Sequence, residues 1–255
     1  MPTASLVALT LFVNASPIAA QQSVADQVNA VRAGTVRLSF ASRTGVCGNG
    51  SYIRTGKNNY TGNWSRQQDL QEACEPGPVR VVAERVNGRT VDVRSYVGGQ
   101  WKDSENAVDL GTVAASDAME WLLREAESGG EEASKDALLP LTLADVNVPW
   151  LRVLEISKDR TRPRAVRSQA VFWAAQAAGD KAADEIGAIA QNDPDKEVRT
   201  AAVFALSRRD DGFDQLTRIA RTSKDRDVKQ SAYFWIGQSK DPRAADFLAE
   251  VLARP

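Results

Sequence analysis

The chain has 255 residues, 43% hydrophobic and 25% charged, with 32 Lys and Arg against 33 Asp and Glu and no His. Such proportions fit a globular protein with a real core and room for two domains. The absence of His excludes imidazole as base, acid or metal ligand, and with it the common hydrolase triads and the usual zinc sites. A formal net charge of -1 offers no basic field to a polyanion, so nucleic acid is not an expected partner.

Residues 1–20 carry no charge, and the apolar run 5–13 (SLVALTLFV) is followed by Asn14, Pro17 and the small Ala19 and Ala20. The run is too short to span a bilayer. It suits a secretory signal peptide cut after Ala20, with Ile18 and Ala20 at the two positions the peptidase reads and Gln21 opening the mature chain. The basic n-region is missing, which places the true start upstream or makes Met1 a misassigned start. The alternative is an apolar terminus of a cytosolic protein. No Cys follows the run, so neither a lipid anchor nor stable membrane insertion after cleavage is expected.

In an oxidising compartment Cys47 and Cys74 are expected to pair, because nothing else in the chain can pair with them. Closing that loop removes roughly 3.5 kcal/mol of unfolded-chain entropy on the simple loop model. The bracketed segment is polar and rich in Gly48, Gly50, Gly56, Asn58, Asn59, Gly62 and Asn63, with little apolar surface to order it. A redox role is disfavoured by the long spacing, and two Cys without His cannot close a zinc site. No metal, cofactor or catalytic residue is expected. Four Asn-x-Ser/Thr sites, at Asn14, Asn49, Asn59 and Asn63, are given no role.

Residues 23–32 are expected to form a short helix. Alternation of period two then marks 35–40 (TVRLSF), 79–86 (VRVVAERV) and 90–97 (TVDVRSYV), the last two joined by Asn87 and Gly88, a strong hairpin signal. Residues 21–112 therefore read as a small antiparallel β domain, its strands within about 33–112. The segment 45–50 (GVCGNG) superficially resembles a phosphate loop but lacks the Gly-Lys-Ser/Thr ending and a following helix, so a disulfide-tethered turn is expected.

From residue 114 the period becomes that of amphipathic helices, beginning with Ala118, Trp121, Leu122 and Ala126. Further on the chain repeats itself. Val166 and Arg167, Val198 and Arg199, and Val228 and Lys229 head three segments 32 and 30 residues apart, carrying AVFW at 170–173, AVFA at 202–205 and AYFW at 232–235. Second helices follow, anchored by Ile186 and Ile189, Leu216 and Ile219, and Leu248 and Val251. SKDR occurs at both 157–160 and 223–226. A period near 30 with two helices per unit is the signature of an α-solenoid, so residues 113–255 complete an α+β chain of two regions with separate cores.

The wording, an acidic turn, then Val-Arg, then Ala-x-Phe, resembles HEAT-like repeats of the short class found in bilin-lyase-related and many bacterial exported proteins. The resemblance is specific over 163–255 and weaker over 114–162, where Trp150, Leu151 and residues 154–160 look like the second helix of a degenerate unit. It does not reach the β region. It implies a solenoid from a bacterial exported protein, periplasmic or secreted.

Residue types that recur at equivalent positions point to the fold. Asp195, Asp225 and Asp241 precede helical segments as N-cap candidates, and Asp184, Asp214 and Asp246 fall in first turns where the helix dipole favours a carboxylate. Arg167, Arg199 and Lys229 are assigned to acidic turns of neighbouring repeats, with a partner as the alternative. Phe172, Trp173, Phe204, Tyr233, Phe234 and Trp235 are assigned to seams between helices, with a stacking platform at Trp173 and Trp235 as the alternative. The acidic stretch 117–136 and the basic stretch 158–167 either pair with each other or form solvated faces.

Three functions compete. A non-enzymatic scaffold would hold a protein partner on the solenoid surface, which is left free because each repeat buries only its neighbours. An enzyme of the HEAT-like lyase type, or a carboxylate hydrolase, would need a deep cleft with two facing carboxylates. A glycan-binding β region would act through Tyr60, Trp64 and Trp101. A flat aromatic strip would favour glycan and an extended groove would favour protein. Exposed positions that change type between repeats are free to specialise, so Ala188, Arg218 and Glu250, each two residues beyond a buried anchor, with Arg221 one turn on from Arg218, form the expected partner-binding row.

Overall fold

The computed structural model describes residues 22–55, 60–62, 74–101 and 106–253. The expected signal segment, with its junction between Ala20 and Gln21, lies outside them, as do Asn59, Asn63, Trp64 and the side chain of Tyr60. The elements are α1 (Val24–Ala30), β1 (Gly34–Phe40), β2 (Val46–Gly48), β3 (Tyr52–Thr55), β4 (Tyr60–Gly62), β5 (Glu75–Pro76), β6 (Val79–Val86), β7 (Arg89–Val97) and β8 (Val108–Thr112). Helices follow: α2 (Ala115–Ser128), α3 (Glu131–Leu143), α4 (Trp150–Lys158), α5 (Arg164–Ala178), α6 (Ala183–Asn192), α7 (Lys196–Ser207), α8 (Gly212–Thr222), α9 (Arg226–Gln238) and α10 (Ala244–Leu252). The architecture is N-terminal sheets, mostly antiparallel, followed by a helical repeat region.

The alternating residues become the two faces of a sheet ordered β7-β6-β1-β8. Val36 stands opposite Ala83, Leu38 opposite Val81 and Phe40 opposite Val79, so one face is a continuous buried apolar surface. Asn87 and Gly88 turn the β6 to β7 hairpin with φ of 52° and 77°, the left-handed pair such a tight turn needs. β8 corrects the purely antiparallel expectation. It runs parallel to β1, reached by a long excursion through β2 to β7.

A second sheet, β4-β3-β2-β5, contains Cys47 in β2, bonded to Cys74 just before β5 with a Cα separation of 5.3 Å. The segment 45–50 is thus strand β2 and a turn in which Asn49 Oδ1 accepts from the N–H groups of Ser51 (2.9 Å) and Tyr52 (3.2 Å). The sheets meet backbone to backbone. A Cβ on Gly98, whose φ is +66°, would run into the Gly48 carbonyl, and one on Gly99 would lie 2.6 Å from the Asn49 carbonyl oxygen.

Separate cores are not what forms. One buried hydrophobic cluster runs from Val24 in α1 through the sheet to Phe247 in α10. α3 packs on β7, and the chain after α3 pairs back onto the β1 to β2 loop through Arg43 N–H to Leu143 O and Asp145 N–H to Ala41 O, both 2.9 Å. A buried polar knot closes the other side. Arg85, 2% exposed, donates to Asn29 Oδ1 (3.0 Å), Thr90 Oγ1 (2.8 Å) and Gly88 O (2.7 Å), while Glu125 Oε1 accepts from Thr90 Oγ1 (2.8 Å) and Trp121 Nε1 (3.0 Å). The knot ties α1, the hairpin and α2 together, and every partner satisfies another.

In the repeat region α3, α5, α7 and α9 stack in series as first helices, each followed by a second helix, α4, α6, α8 and α10. Asp195 and Asp225 cap α7 and α9, accepting from Glu197 N–H and Val228 N–H. Asp241 accepts from Arg243 N–H at 2.9 Å just ahead of α10, and Asp184, Asp214 and Asp246 lie in first turns. Buried Arg167 reaches Asp193 in the next unit's turn and donates to Ser157 O at 2.8 Å; Arg199 reaches Asp225 Oδ2 in the following turn at 2.9 Å. Both pairs span 26 residues, from one unit's first helix to the turn that heads the next.

Among the described residues the charged stretches form no ion pair with each other; they meet where Arg162 donates to Gly129 O at 2.9 Å and to Ser134 Oγ. Glu120 and Glu127 are bound by Arg152 at 3.0 and 2.8 Å. The basic stretch reaches forward instead, Lys158 to Glu185 (3.0 Å) and Arg164 to Glu197 (3.2 Å).

Candidate functional site

Phe172, Phe204 and Phe234 occupy the same place on α5, α7 and α9, and none is fully buried. Phe234 is 56% exposed, while Phe172 and Phe204 are half-buried. The Phe172 and Phe204 rings stack at 5.5 Å and 7°, and Phe204 lies 4.7 Å from Trp235. Trp173 and Trp235 meet Phe172 and Phe234 edge-on, each at 4.9 Å. The assignment of these aromatics to helix seams holds for Trp173, which is buried, and for Phe172, Phe204, Tyr233 and Trp235, which are partly buried and meet rings across neighbouring helices; it fails for Phe234, which is exposed.

Residues three or four positions away on a helix share its face. Around the three phenylalanines these are Ser168, Gln169, Ala175 and Gln176; Thr200, Ala201, Ser207 and Arg208; and Gln230, Ser231, Gly237 and Gln238. All but Arg208 are uncharged, in a chain that is 25% charged. The strip is therefore apolar and aromatic, and its own helix faces are mostly uncharged.

Two adjoining cavities open along it. The larger, 620 Å³, is lined by Ser168, Gln169, Phe172, Trp173, Ala201 and Phe204, with Lys135 and Glu197 at its sides. The Ser168 Oγ is buried there without a hydrogen-bond partner among the described residues. The smaller, 280 Å³, lies where the solenoid meets the sheet and shares Lys135, Gln169 and Trp173, adding Val93 and Ser95 of β7 and Asp136 and Leu139 of α3. Burial pushes the Asp136 carboxyl up to about 6, helped by the nearby charges of Asp92 and Glu132 and opposed by Lys135.

The expected row sits elsewhere. Ala188, Arg218, Arg221 and Glu250 are all exposed, on the second helices α6, α8 and α10. Arg221 is held by Glu250 at 3.2 Å and lies over the Phe247 ring at 5.1 Å. Trp101 is covered by cations, with the Arg37 and Arg80 guanidiniums 5.2 and 5.6 Å from its ring centre. Among the described residues no group of three or more His, Cys, Asp or Glu is placed to hold a metal, and no helix is long and apolar enough to cross a membrane.

Sequence reasoning missed Asp136, which reads as one carboxylate in an acidic run, and Ser168. The signal that finds the strip is a phenylalanine recurring among uncharged neighbours at helical spacing.

Stacked helix pairs joined by a repeated turn contact define the C-terminal region as an α-solenoid. The family model of HEAT repeats matches residues 153–233 and again 183–255. Residues 153–255 are thus HEAT repeats. Neither the curated proteins nor the solved structures compared with the chain give a match.

Proposed function

We propose that this chain is an exported, non-enzymatic scaffold that holds a protein partner against its solenoid, and that its repeats are of the short class shared by bilin-lyase-related and bacterial exported proteins. The observation that carries the reading is the half-open strip of Phe172, Phe204 and Phe234 along the first helices. Solenoids commonly present such continuous surfaces to other proteins. An aromatic strip also suits a sugar, but sugars stack on open ring faces. Here one face of Phe172 and one of Phe204 are taken up by each other, and Phe204 also meets Trp235, which leaves less open ring face for a sugar. In the β region the arginines over Trp101 likewise disfavour glycan.

The row on the second helices is proposed as a secondary rim contact. Arg218 is its best candidate, because Arg221 and Glu250 already hold each other. Photocrosslinking in intact cells from position 234, with position 218 in parallel, tests the arrangement. A discrete partner captured from 234 is expected, with a weaker product from 218. Capture from 218 alone would transfer the site to the second helices, and capture from neither would sink the scaffold reading. Charge reversal at Arg218 and Arg221 should alter association rate and salt dependence more than stability.

Export is supported by the uncharged, apolar segment before Gln21 and by the bond between Cys47 and Cys74, since such bonds persist in oxidising compartments. The mass of the natively produced chain decides it: a start at Gln21 is expected, and retention of Met1 would overturn export.

A further inference from the structure

Resting on that reading of the strip, we propose that the 280 Å³ cavity at its sheet end is a socket for a cationic side chain, arginine or lysine, carried by an extended partner segment whose neighbouring apolar residues lie along Phe172, Phe204 and Phe234. The cavity brings together a carboxylate, an indole and aliphatic walls. That combination recognises the head and stem of a long basic side chain: the carboxylate takes the charge, Trp173 attracts a cation, and Val93 and Leu139 cover the methylenes.

The charges around the cavity leave the negative sign in excess. Lys135, the cation among the lining residues, gives its ammonium to Glu132 at 2.8 Å. Asp92 is held by Arg94 at 3.0 Å. Asp136 makes no ion pair or hydrogen bond through its carboxylate among the described residues, and its pKa of about 6 reports burial beside like charges. Pro140 adds to this, because it has no N–H for the Asp136 carbonyl four residues earlier in α3. An anion would be repelled from the cavity, and a neutral sugar would leave its carboxylate uncompensated.

The two cavities adjoin, with Lys135, Gln169 and Trp173 lining both, so a segment anchored at Asp136 has Phe172 and Phe204 next along its path. The occupant that meets the charge and the apolar strip together is an extended peptide with a basic residue beside apolar ones.

The test is selection of random twelve-residue peptides displayed on phage against the full, disulfide-bonded chain, with Asp136→Asn and Phe234→Ser selected in parallel after circular dichroism confirms that both fold. Peptides with Arg or Lys beside apolar residues are expected from the wild type. A synthetic winner should bind Asp136→Asn about tenfold more weakly, while its Arg→Gln version should bind both proteins alike. Selected peptides that are apolar but show no cation preference, or cationic ones that bind Asp136→Asn equally well, would overturn the socket and leave the strip standing. Failure to select any peptide above the Phe234→Ser background would overturn the strip and the socket with it.

Discussion

In the sheets, each closing contact is made once and joins distant parts of the chain: Cys47 to Cys74, Gly48 against Gly98, and Arg85 to Thr90 and on to Glu125. In the solenoid the same contact is made again at the same offset, Arg167 to Asp193 and Arg199 to Asp225. The first arrangement has no redundancy, so a single change there is expected to loosen the whole region. In the second, equivalent contacts differ in depth, and equivalent changes should differ in cost.

The sharpest way to break the comparison is inside the ladder. Arg167 and Asp193 have side chains 5% and 8% exposed, against 14% and 31% for Arg199 and Asp225. Arg167→Ala leaves a buried carboxylate uncompensated and should cost about 4 kcal/mol in urea unfolding. Arg199→Ala should cost about 1 kcal/mol. Equal costs would show that repetition, and not burial, sets the strength of the contact.

Replacing both cysteines by Ser should lower stability by roughly 3.5 kcal/mol on the loop model. Because one core spans both regions, the loss should shift a single unfolding transition followed by near-ultraviolet and far-ultraviolet circular dichroism alike. Two separated transitions would restore the picture of independent regions. Gly98→Ala should cost about 3 kcal/mol, since it combines a left-handed backbone with a clash against the Gly48 carbonyl, whereas Gly34→Ala, which meets no atom within 4 Å, should cost only the strain of its φ. Thermal midpoints of the two variants separate packing from backbone.

The smallest effect concerns Asp136, where the regions meet. Its folded pKa of about 6 lies above the ordinary aspartate value of 3.8, so the folded state takes up a proton more readily than the unfolded one. The penalty is present in full above pH 6 and is relieved as pH falls from 6 toward 3.8. Asp136→Asn should therefore stabilise the chain by about 1 kcal/mol at pH 8, after discounting for solvent screening, and by nearly nothing at pH 4. A gain that does not change with pH would mean that the carboxylate is ionised at no cost.

Local and periodic features are the ones legible in the sequence. The hairpin at Asn87 and Gly88, the caps at Asp195 and Asp225 and the period of the helices each depend on a few neighbouring residues. The parallel pairing of β8 and the approach of Gly48 to Gly98 depend on where distant segments arrive, which residue type alone does not specify. The candidate site was misread for a different reason. The rule that recurring residues serve the fold holds for Val166 and Val198, which are buried, and fails for Phe234. Asp136 acquires its character from burial, and after that from Asp92 on a different element.

The offset of 26 in the arginine ladder also bears on how such a chain changes length between generations. Copying a stretch of gene that encodes one whole unit copies an arginine together with a turn that receives one, so the enlarged product arrives with its new joint already matched. A duplication or loss of half a unit separates donor from acceptor and strands a charge in the interior. Errors of replication are thus sorted by size, and growth in whole units is the kind the molecule can inherit.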